Sequence, residues 1–221
     1  MSGRINCTHA TFRDQKPHGA LHLIEPFRDF MTRRNWAMVL IFITLFQYGE
    51  GLLGVMANPF YLDLGFTKTD IALVTKLWGF AMSITGAVAG GILVARLGLL
   101  RALFICGLAQ ALANLAFAWL AGQGPSIAAL TVTIALENFT SAMATAAFVA
   151  YLSGFCDRAY SATQYALLSA FAAFGRKIFV AGGGEAAQAL GWQMYFIGTT
   201  LAALPALLLL LWLMNKDRHF R

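Results

Sequence analysis

Residues 36–59 read WAMVLIFITLFQYGEGLLGVMANP, twenty-four residues of which only Glu50 is charged. About 20 apolar residues at the helical rise cross a hydrocarbon core of about 30 Å. The run is long enough to span a bilayer. Five more of similar character follow, at residues 71–95, 99–121, 126–155, 163–189 and 192–214, joined by connections of a few residues. A water-soluble core does not need such runs back to back. The expectation is an all-α integral membrane bundle of six transmembrane helices. Its domains are a leader at 1–35, the six-helix domain at 36–215 and a basic tail at 216–221.

Composition agrees. Hydrophobic residues make up 59% of the chain and charged residues 12%, about half the charged share of a soluble domain. The net charge of +6 does not mark a nucleic-acid binder, because the basic residues gather at the ends of the apolar runs. Cys7, Cys106 and Cys156 have no metal-ligand spacing, and an odd count does not make a disulfide framework. The expectation is no metal, no cofactor and no nucleic acid, with membrane lipid as the surroundings. HExxH and GxSxG do not occur and the histidines sit in the polar tails, so no enzyme is expected. The first 35 residues are polar, and the first apolar run is a full span that should act as an uncleaved signal-anchor.

Lys and Arg in the loops set the orientation. With a cytoplasmic N-terminus, Arg4, Arg13, Lys16, Arg28, Arg33, Arg34, Arg96, Arg101, Arg158, Lys216, Arg218 and Arg221 all fall inside, and only Lys68 falls outside. Both termini should therefore be cytoplasmic. Residues 21–34 mix apolar and charged side chains just before the first span, which suits a short helix lying along the headgroups.

The interiors of the spans carry the chemistry. In the first, Gln47, Glu50, Gly51, Gly54 and Asn58 share one face of a helix. An acid at the bilayer centre costs about 2.5–3.5 kcal/mol on insertion scales, so this face should look into the bundle or a wet cavity. The second span puts Lys76, Gly79, Ser83, Gly86 and Gly90 on one face, where Gly86 and Gly90 permit close helix approach. The fourth carries Glu137 and Asn138, with Ser141 and Thr145 on the Glu137 side. The fifth carries Arg176 and Lys177 and then meets Gly182-Gly183-Gly184. The third and sixth have no charge in their middles and are expected to be lipid-facing supports. One reading pairs Glu50 with Lys76 and Glu137 with Arg176 simply to fix packing. The other lines a pathway, with a carboxylate in low dielectric loading and releasing a proton.

Between the second and third spans stands Gly91-Ile-Leu-Val-Ala-Arg96-Leu-Gly98-Leu-Leu-Arg101. It resembles the cytoplasmic loop motif of the major facilitator superfamily, GxLaDRxGR followed by a basic residue. Gly91, Leu93, Arg96 and Gly98 fall in place, while Ala95 stands for the motif's Asp and Leu99-Leu100 for its basic pair. Further segments are Glu25-Pro-Phe-Arg-Asp-Phe30, Asn58-Pro-Phe-Tyr-Leu-Asp-Leu-Gly-Phe-Thr-Lys-Thr69, Ala147-Phe-Val-Ala-Tyr-Leu152, Ala162-Thr-Gln-Tyr-Ala-Leu-Leu-Ser169, Gly175-Arg176 and Leu190-Gly-Trp192. In that order they resemble the C-terminal six helices of the AmpG-type muropeptide permeases.

That resemblance implies half of a major facilitator fold in the bacterial inner membrane. It implies proton-driven import of anhydro-muropeptides, N-acetylglucosamine–anhydro-N-acetylmuramic acid with or without peptide, for cell-wall recycling. Glu50 stands where the family carries an acid, and Glu137 and Arg176 match charged positions. The proton-coupling candidates are Glu50 and Glu137. Gln47, Asn58, Lys76, Asn138 and Arg176 are the candidates for holding a sugar-peptide substrate, and Gly91, Arg96, Gly98 and Arg101 form the loop motif. Six helices supply one wall of such a transporter. A second six-helix half, from another copy or a separate chain, is then the expected partner. The alternatives are a truncated fragment that transports nothing, or a membrane assembly subunit.

Overall fold

The computed structural model describes residues 36–155, 161–180 and 183–218. The expected leader, Cys7, Cys156 and the end of the basic tail lie outside the described residues. Every described element is a helix: α1 (Trp36–Asp63), α2 (Lys68–Leu97), α3 (Leu99–Gln123), α4 (Ile127–Phe155), α5 (Ser161–Val180), α6 (Gly183–Leu190) and α7 (Trp192–Arg218).

Local chemistry sets the ends. Pro59 does not stop α1, which runs one turn further to Asp63. A proline near a helix end removes one backbone hydrogen bond, which transmembrane bundles tolerate. Thr67 opens α2 with a capping box: its hydroxyl accepts from the Asp70 N–H at 3.2 Å, and the Asp70 carboxylate accepts from the Thr67 N–H at 3.2 Å. The reversal from α2 to α3 turns on Gly98 alone, whose φ of +79° is a conformation that a side chain disfavours.

Five helices, α1, α2, α3, α4 and α7, are long and apolar enough to cross a membrane. The expected fifth span, 163–189, falls on α5 and α6, with residues 181–182 outside the described ones. Over the residues whose side chains are described, α5 carries an apolar stretch at Gln164–Phe174, so five apolar spans are seen among the described residues where six were expected.

The packing also revises the role of α3. Expected as a lipid-facing support, it is the most buried of the five spans, at 50% of its apolar window against 17% for α2. It packs against α4 on one side and α7 on the other. Ala102, Cys106, Gly107, Ala111, Asn114 and Ala118 recur at helical spacing along its buried faces. Small residues there let neighbouring backbones approach. Absence of charge had marked α3 as peripheral; residue size places it at the centre. On α7, Met194, Leu201, Leu204 and Leu208 are exposed.

α2 leans on α4 along a glycine seam. A Cβ at Gly86 would run into the Phe139 carbonyl oxygen, and one at Gly90 would stand 2.5 Å from the Met143 carbonyl oxygen. α1 packs against α5 and α7.

The apolar interior is split in two. One cluster joins Phe42, Ile43, Leu103, Cys106, Met143, Phe148, Tyr151 and Leu210. The other joins Leu53, Phe60, Phe117, Leu130, Ile134, Tyr195 and Phe196 toward the opposite end. In the second, Phe60 and Phe196 meet edge to face at 4.7 Å. The Tyr195 hydroxyl donates to the Leu52 carbonyl at 3.0 Å, and the Trp192 indole N–H donates to Asp63 Oδ2 at 3.1 Å.

Candidate functional site

Following each helix from one cluster to the other crosses a layer of polar side chains. On α1 the layer falls at Glu50, between Phe46 and Leu53. On α3 it falls at Gln110 and Asn114, between Cys106 and Phe117. On α4 it falls at Glu137 and Asn138, between Ile134 and Phe139. Glu50 lies at the middle of α1, about 20 Å along the helix from either end. The two apolar cores thus sandwich a polar belt at mid-bundle.

Glu50 is half-buried and accepts a hydrogen bond from the Ser141 hydroxyl of α4, Oγ to Oε1, at 2.8 Å. Ser141 stands one turn beyond Glu137 on the same helix face. Glu137 is half-buried too, and within electrostatic reach of Glu50. The two expected proton-coupling candidates are therefore brought together, with a hydroxyl between their helices. Among the described residues no ion pair ties Glu50 to Lys76. The proposed partner of Glu137, Arg176, falls on α5 with its side chain outside the described ones, as does that of Lys177.

Asn138 turns the other way. Its Nδ2 donates to the Ile134 carbonyl at 2.8 Å, and its Oδ1 accepts from Ser83 of α2 at 3.3 Å. A Cβ on Gly79 would sit 3.4 Å from the same amide. Its hydrogen bonds are spent on the α2–α4 seam.

Lys76 does not continue the stripe of Gly79, Ser83, Gly86 and Gly90. Residues Thr75–Gly79 form a turn of π-helix. Such a turn winds one extra residue into the helix and rotates everything before it relative to everything after. Gly79, Gly86 and Gly90 are buried, whereas Lys76 is exposed. It joins Asn58, Leu62, Lys68, Ile71, Ala72 and Thr75 around a separate open cavity of about 500 Å³ between α1 and the start of α2. The candidates Asn58 and Lys76 are thus together, but away from Glu50. Gln47 is half-buried on α1, one turn before Glu50. The loop-motif residues Gly91, Arg96, Gly98 and Arg101 are all exposed around the α2–α3 turn.

Sequence reasoning passed over Gln110 and treated Asn114 as an interruption of α3. Both line a small chamber behind Glu50, with Gly49, Gly107, Ala111, Ala203 and Ala206 among its walls. The available signal was their spacing: two amides four residues apart share one face of an otherwise apolar helix. Buried polar groups need partners, so such a pair marks an inward face as a charge does.

A family model described as Major Facilitator Superfamily matches residues 39–221. The chain is 41% identical over 194 residues to a Rickettsia felis protein named as the transporter AmpG 4, covering 88% of this chain and 47% of that protein. It is 35% identical over 190 residues to the anhydromuropeptide permease of Escherichia coli K12, covering 86% of this chain and 39% of the permease. With the AmpG 1 transporter of Rickettsia prowazekii it shares 34% over 202 residues, 88% of this chain and 46% of that one. The chain spans about half the length of the relatives it matches.

Proposed function

The chain belongs to the major facilitator superfamily, and from that premise we propose that it forms one wall of a proton-coupled importer of anhydro-muropeptides. The observation carrying the proposal is the mid-bundle meeting of Glu50, Ser141 and Glu137, between two apolar cores that exclude water on either side. A carboxylate held in a polar layer of a membrane bundle is the usual seat of a proton relay. The substrate class rests on the similarity to the anhydromuropeptide permease and the AmpG transporters.

In this reading Glu50 and Glu137 take turns with one proton. The Ser141 hydroxyl donates to the Glu50 carboxylate, a charge-assisted hydrogen bond that protonation weakens. Loss of that bond loosens α1 from α4, and the two helices shift to expose the belt to the other side. Gln47, Asn58, Lys76 and Arg176 supply amides and cations for sugar hydroxyls and carboxylates, while Asn138 holds the α2–α4 seam. α5, with the residues after it, completes the sixth crossing in the inner membrane. Both termini then face the cytoplasm, with 1–35 as leader and 216–221 as tail. The opposite wall comes from a second six-helix half, a copy of this chain or another.

The test is uptake of radiolabelled anhydro-muropeptide by cells lacking their own permease. This chain is expressed alone and with a matching N-terminal six-helix half. Uptake in either case supports the reading, and the pattern identifies the second wall. Absence of uptake in both, with the protein present in the membrane, overturns it.

A further inference from the structure

The chamber behind Glu50 has a volume of about 20 Å³. A cavity needs about 10–15 Å³ of such space, and two to four polar partners, to hold one water molecule. Its polar lining comes from three side chains, Glu50 of α1 and Gln110 and Asn114 of α3. Asn114 is only 4% exposed. Its side chain makes no hydrogen bond to a described residue, yet no buried side-chain polar atom among the described residues is sealed off without a partner. The Asn114 amide therefore opens on the chamber.

The helices around it approach closely. A Cβ at Gly49 would meet the Ala203 Cβ at 3.4 Å, and one at Gly107 would meet Leu207 Cδ2 and Phe46 Cε2 at 3.1 Å. The pocket is shaped by small residues on α1, α3 and α7.

We propose that this chamber is a binding site for one water molecule, held by Glu50, Gln110 and Asn114, and that the two amides are positioning residues for Glu50. A hard cation fits less well. It takes six or more oxygens, whereas one carboxylate and two amides offer few, and Glu50 Oε1 already accepts from Ser141. Water matches the mixed donors and acceptors of two amides. It also serves both states of the acid. It donates to the carboxylate, and it accepts from the carboxylic O–H, so neither state leaves a buried group unpaired. This use of the water rests on the reading of Glu50 as a proton carrier; the site itself does not.

Infrared difference spectra of the full chain in lipid membranes, recorded across a pH step, test the site without any transport. The wild type should show an internal-water O–H stretch that shifts when the buffer is made with oxygen-18 water. That band should disappear in Asn114→Leu, and equally in Ala111→Val, which fills the chamber and keeps the amide. The Glu50 carboxyl C=O stretch, identified by its loss in Glu50→Gln, should move to higher frequency in both variants as its partner goes. A thermal unfolding transition confirms that each variant is folded. No isotope-sensitive band in the wild type overturns the proposal, as does a band unchanged in both folded variants. A band without uptake in the transport assay would sink the transport reading and leave the water site standing.

Discussion

Gly86→Ala should loosen α2 from α4, and its neighbour Gly91→Ala supplies the control. A Cβ at residue 86 would overlap the Phe139 carbonyl oxygen and crowd that residue's carbonyl carbon at 2.9 Å. The obstacle is backbone, so no rotamer change relieves it, and α2 must move bodily. Overpacking of this kind costs about 1–3 kcal/mol, and a backbone obstacle puts it at the upper end. Alanine returns up to about 1 kcal/mol of helix propensity over glycine. The net loss is then about 2 kcal/mol. A midpoint shift of about 2–4 °C per kcal/mol in a chain of this size makes that roughly 4–8 °C. Gly91 has nothing within 4 Å of its Cβ position, so Gly91→Ala should keep the propensity gain and melt at the same temperature or slightly higher. The assay is thermal unfolding in one detergent, followed by tryptophan fluorescence. A second readout is disulfide formation between Ser83→Cys and Asn138→Cys, whose native side chains meet at 3.3 Å. Oxidation should crosslink α2 to α4 efficiently in the parent and poorly with Gly86→Ala added. Equal melting of the two alanine variants, with undiminished crosslinking, would refute the seam.

Ser141→Ala removes the hydroxyl that Glu50 accepts at 2.8 Å and should destabilise the fold by about 1–2 kcal/mol. In a thermal-stability cycle with Glu50→Gln the two changes should fall short of additive by at least about 0.5 kcal/mol; strict additivity would mean the contact carries nothing. Under the proposed function, Glu50→Gln and Glu137→Gln should each abolish proton-driven uptake in a competent assembly, and intact uptake would remove them as proton carriers. Tyr195→Phe deletes the donor to the Leu52 carbonyl and should lower stability by about 1 kcal/mol, read as a depressed melting midpoint. Single cysteines at positions 68 and 96 should label with a membrane-impermeant thiol reagent from opposite sides of the bilayer, position 96 from the cytoplasm. Labelling of both from one side would reject the assigned topology.

Much of the belt was legible because charge in an apolar run has few places to go. Glu50 and Glu137 lie on different helices, and each had to face inward for the same reason; the structure brings them within electrostatic reach. What was not legible has physical causes too. Counting Lys76 into the glycine stripe assumes a uniform helical rotation, and the π turn at Thr75–Gly79 breaks that uniformity without a residue pattern that announces it. The expected fifth span falls partly outside the described residues. For α3, the search for charge overlooked neutral amides and small residues, which are the features that bury it.

The same features explain why the polar groups stay together without an ion pair among the described residues. A mid-membrane carboxylate with a neutral hydroxyl and neutral amides around it can change charge without leaving a counter-ion stranded, whereas a carboxylate locked to a lysine could not. The placement of Lys76 in the α1–α2 cavity, away from Glu50, keeps that option open. The π turn that puts it there and the glycine seam that holds α2 to α4 lie on the same helix, the least buried of the five spans. Uniform α-winding through Thr75–Gly79 would turn Lys76 relative to the residues that follow it; the π turn instead leaves it lining the α1–α2 cavity.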